Sequence, residues 1–95
     1  MNSREMFIDN LQKISLRLVE EKSWSILSNI TNFLVSFDRG NWSSLPVDEQ
    51  LFWLQRLQYL LGIHVLSTQW GYDNPILSET NNFIHHYIKS LEKKL

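Results

Sequence analysis

Apolar residues recur along this chain at spacings of three and four, the repeat of a helix at roughly 100° per residue. Phe7, Leu11, Ile14 and Leu18 form a first such row, widened by Ile8 and Val19, while Arg4, Glu5, Asp9, Lys13, Arg17, Glu20 and Glu21 fill most of the remainder. The pattern predicts a helix capped by Ser3 and running to about Lys22, with Leu16 opposite the row. Ser23 offers the next cap, and a second helix is expected from Trp24 to Phe37 or Asp38. Its core row is Leu27, Ile30, Leu34 and Phe37, flanked by Ile26 and Phe33. Gly40 stands where a left-handed residue commonly ends a helix. The following connection, residues 40–45, is polar apart from Trp42 and the closing Leu45.

Ser44 and Pro46 mark a third start, because proline at the front of a helix gives up an N–H that has no partner there. From Val47 the pattern is helical to Gln69 or Trp70, with Gly71 as the stop and a kink or break allowed at Gly62. Residues 63–68 could also be read as a short strand, but one isolated strand has nothing to pair with. Tyr72, Asp73, Asn74 and Pro75 read as a turn, with Pro75 as the first residue of a last helix. That helix aligns Leu77, Ile84, Ile88, Leu91 and Leu95, with Phe83 and Tyr87 beside them. Four helices and three short connections predict an all-α protein, a compact antiparallel four-helix bundle.

The third helix differs from the others in carrying two apolar rows. One is Val47, Leu51, Leu54, Leu61 and Val65, interrupted by Gln58; the other is Phe52, Arg56, Tyr59, Ile63, Leu66 and Trp70. They lie roughly 140° apart around the axis. Two readings follow. Either this is the central helix and both rows are core, or the second row is open and meets a partner, as its tyrosine, tryptophan and arginine would suit. An arginine among apolar neighbours also needs a carboxylate or carbonyl, supplied internally or by the partner. Of the four tryptophans, Trp42 is the one expected as an exposed contact, because it sits in a connection and not in a helical row.

Composition narrows the class. Ninety-five residues, 43 % of them apolar and 20 % charged, suit one globular domain without a second core. A net charge of −1 lacks the concentrated basic surface that nucleic acid requires, and Lys89, Lys93 and Lys94 complement the negative end of a helix. No apolar run approaches the roughly 20 residues that span a bilayer. Glu5 and Asp9 make the N-terminal segment unlike a signal peptide, and the chain has no cysteine. A cytoplasmic location is expected.

Residues for catalysis or metal binding do not converge in the sequence. His85 and His86 are neighbours and point about 100° apart on a helix, and His64 has no acid or histidine at helical spacing. Glu20–Glu21 and Asp48–Glu49 sit at helix ends, where capping and dipole effects account for them. The three glycines form no phosphate-binding loop. The expectation is a non-enzymatic protein with no cofactor and no metal.

In size and helical character the whole chain resembles the small α-helical immunity proteins that bacteria make against their own contact-dependent or bacteriocin toxins. The resemblance implies a stoichiometric protein that binds and neutralises a cognate toxin domain by capping its active site or an adjacent surface. It carries no motif, so the expected docking residues come from the chain's own pattern: Trp42, Phe52, Arg56, Tyr59, Ile63 and Trp70. Immunity proteins against nuclease toxins are often strongly acidic, whereas this chain is nearly neutral. The resemblance therefore requires Asp38, Asp48, Glu49, Asp73 and Glu79 to gather on one surface. A homodimeric structural or regulatory module, and a small phage-type inhibitor protein, are the alternatives.

Overall fold

The computed structural model describes residues 2–67 and 74–95, with residues 63–67 described by their backbone alone. It is all-α: α1 (Ser3–Glu20), α2 (Trp24–Asp38), a short 3₁₀ turn (Trp42–Ser44), α3 (Val47–Ser67) and α4 (Pro75–Glu92), with no strand among the described residues. The helices group into two compact units, Met1–Leu45 and Pro46–Leu95. Each unit pairs two helices, α1 with α2 and α3 with α4. The pairs are antiparallel because the connections are too short for anything else. Seven residues between α3 and α4 reach at most roughly 25 Å, less than the roughly 30 Å length of α3.

In the first unit the start and end of α1 are local chemistry. Asn2, not Ser3, is the cap, its Oδ1 accepting from the Glu5 N–H at 2.8 Å. The helix ends before Lys22, which takes the left-handed conformation at φ 58°. There the Lys22 N–H donates to the Val19 carbonyl and the Ser23 N–H to that of Leu18, satisfying carbonyls the helix would otherwise leave open. Gly40 is not left-handed; it answers to space instead. A Cβ on it would lie 3.0 Å from the Cα and the carbonyl oxygen of Ser36, so the chain turns against α2 only because no side chain intervenes.

The core of this unit is aromatic. Phe7, Leu11, Ile14 and Leu18 are fully buried, as their row predicts, and α2 contributes Ile30, Phe33 and Phe37. Leu27 and Leu34, expected at the centre of the α2 row, are only half-buried, so α2 is turned toward Phe33. The Phe7 ring meets Phe37 edge-on at 5.4 Å and Phe33 at 6.0 Å, while Phe33 and Phe37 stack at 5.5 Å. Such pairs contribute about 1 kcal/mol each beyond their buried area. Arg4 closes one edge. Its guanidinium lies 4.9 Å from the Phe37 ring centroid and donates from Nη2 to the Phe37 carbonyl at 3.0 Å, a cation placed at the negative end of α2. Val19 and Leu16 are exposed.

In the second unit α3 runs through Gly62 without a break, and the helical backbone of residues 63–67 removes the strand reading. The end of α3 expected at Gln69 or Trp70, and the stop at Gly71, lie outside the described residues. Asn74 caps α4, its Oδ1 accepting from the N–H groups of Ile76 and Leu77, and Pro75 is the first helical residue as expected. Leu77, Thr80, Ile84, Ile88 and Leu91 form the buried row of α4. Thr80 bridges the gap between Leu77 and Ile84 because its hydroxyl donates back to the Ile76 carbonyl at 2.6 Å, leaving a methyl to pack. Leu95, expected to extend this row, is exposed, since α4 ends at Glu92.

Candidate functional site

The two apolar rows of α3 have different fates. Leu51, Leu54 and Leu61 of the first row are buried, and Leu57 joins them. Of the second, Phe52 is 57 % exposed, Tyr59 66 % exposed, and Arg56 between them also lies on the surface. Helical geometry places Phe52 and Tyr59 within about 20° of each other and about 10 Å apart along the axis, with Arg56 about 40° to one side. The described part of the second row is therefore an open face. A buried arginine would cost several kcal/mol in lost hydration; at the surface its stem and guanidinium cost nothing of that kind.

Trp53 belongs to this face although it falls in neither of the two rows. It is 43 % exposed, and its ring meets Phe52 edge-on at 5.3 Å. Neighbouring residues on a helix point about 100° apart, so spacing alone separates the pair; only the length of the indole brings them together. The three exposed rings present on the order of 350 Å². That is the size of a functional apolar patch, and less than half of the roughly 800 Å² that each partner contributes to a standard interface. A stable complex would need flanking residues as well, and Asp48, Glu49 and Gln55, all exposed, are placed on the same side by their spacing.

Trp42 does not belong to it. Far from being an exposed contact, it is 5 % exposed, with its ring 5.2 Å from Phe33 and 5.7 Å from Phe37. The close approach at Gly40 and the 3₁₀ turn that follows fold the connection back, and the indole becomes the lid of the aromatic core. Ile63 lies on the helical backbone of α3, one turn beyond Tyr59, and its side chain is outside the described set. Trp70 lies outside the described residues altogether.

Of the acids expected to gather, those described in the second unit stand apart. Asp48 and Glu49 stand at the start of α3 and Glu79 near the start of α4, at opposite ends of an antiparallel pair. Asp38 is in the other unit, 3.8 Å from Arg39, and Asp73 is not described. His85 and His86 are exposed, with ring centroids 5.6 Å apart. No helix among the described residues is long and apolar enough to cross a membrane. Comparison with known protein families, curated proteins and solved structures finds no match for this chain.

Proposed function

We propose that this chain is a non-catalytic protein-binding module that docks through the exposed face of α3, with Phe52, Trp53, Arg56 and Tyr59 at its centre. The observation that carries the reading is the exposure of three aromatic rings around an arginine on a helix that buries Leu51, Leu54, Leu57 and Leu61 elsewhere around its axis. Large aromatic rings held out of the core cost hydrophobic free energy unless something covers them. Tyrosine, tryptophan and arginine are also the residues that dominate binding energy at protein interfaces, because they offer large contact area with few torsions to freeze.

The partner in this reading is a cognate bacterial toxin domain, neutralised by stoichiometric capping. Support for that choice is the chain's size and helical character, which resemble immunity proteins. The separation of Asp48 and Glu49 from Glu79 weighs against a nuclease toxin recognised through one acidic surface, and the rings make the contact chiefly apolar. Co-expression with the neighbouring reading frame tests it directly. A toxic product that co-purifies with this chain, and loses it on Phe52→Ala with Tyr59→Ala, supports the reading; a harmless product, or one that fails to co-purify, overturns the toxin assignment. Sedimentation velocity of the chain alone supplies the other arm. A dimer at micromolar concentration that the same double substitution dissociates would make a second copy the occupant.

A further inference from the structure

We draw no further inference here: the strongest candidate, the exposed surface patch of His85, His86, Lys89 and Lys93 along α4 and its C-terminal cap, carries none because nothing in the structure shows what covers it and lysines at a helix C-terminus already answer to the helix's own negative end.

Discussion

Two aromatic truncations, Trp42→Ala and Tyr59→Ala, should differ in cost by about fourfold, and the difference tests the division between core and face. Trp42 is 5 % exposed and touches Phe33 and Phe37. Burying nearly all of an indole removes on the order of 230 Å² from water, an upper bound of about 6 kcal/mol at 25 cal/mol per Å². The alanine that remains and a compact unfolded chain both reduce this, so about 4 kcal/mol is expected, within the range for aromatic truncation in a core. Tyr59, at 66 % exposure, hides only about a third of its surface. That third contributes roughly 1.5 kcal/mol at most, and alanine returns about 0.5 kcal/mol through helix propensity. A net cost of about 1 kcal/mol or less follows. Urea unfolding followed by circular dichroism at 222 nm reads both variants without relying on the tryptophan removed. If Trp42→Ala unfolds the domain outright, Trp42→Phe keeps the comparison measurable at about 1–2 kcal/mol. A Trp42→Ala cost below 1 kcal/mol, or a Tyr59→Ala cost above 2 kcal/mol, would refute the assignment of the two side chains.

Three further substitutions probe the backbone. Gly62→Ala should stabilise the chain by about 0.5–1 kcal/mol, because the new Cβ meets nothing within 4 Å inside a continuous helix; a lower melting temperature would show that the site is crowded or non-helical. Gly40→Ala should act in the opposite direction, by about 1–3 kcal/mol, since its Cβ would press on Ser36 backbone atoms at 3.0 Å. A neutral result in thermal unfolding would mean the connection has room to move. Lys22→Gly should add about 0.5–1 kcal/mol by relieving a left-handed lysine at φ 58°, the gain being the strain of about 1–2 kcal/mol less the extra freedom of glycine in the unfolded chain. Its failure to raise the urea midpoint would place that residue in ordinary backbone.

The helices were legible in the sequence because their signals are local. The Phe7–Leu18 row, the Trp24 start, the Pro75 entry and the Asn74 turn each follow from spacing or capping within a few residues. Errors of one or two positions at the ends have local causes too. Asn2 takes the cap by accepting from the Glu5 N–H, which leaves Ser3 as the first helical residue, and α1 stops short of Lys22 once that residue turns left-handed. Tertiary structure decided what periodicity leaves equal. Both rows of α3 repeat at helical spacing, so only the burial of Leu51, Leu54 and Leu61 shows which one packs, and Phe52 and Tyr59 of the other are left in water. Trp42 is the same lesson with the sign reversed. A tryptophan in a polar connection reads as exposed until the chain is seen to double back at Gly40, where a contact with Ser36, four residues earlier, carries the indole onto Phe33 and Phe37. Period and capping are properties of neighbours along the chain; burial is a property of neighbours in space.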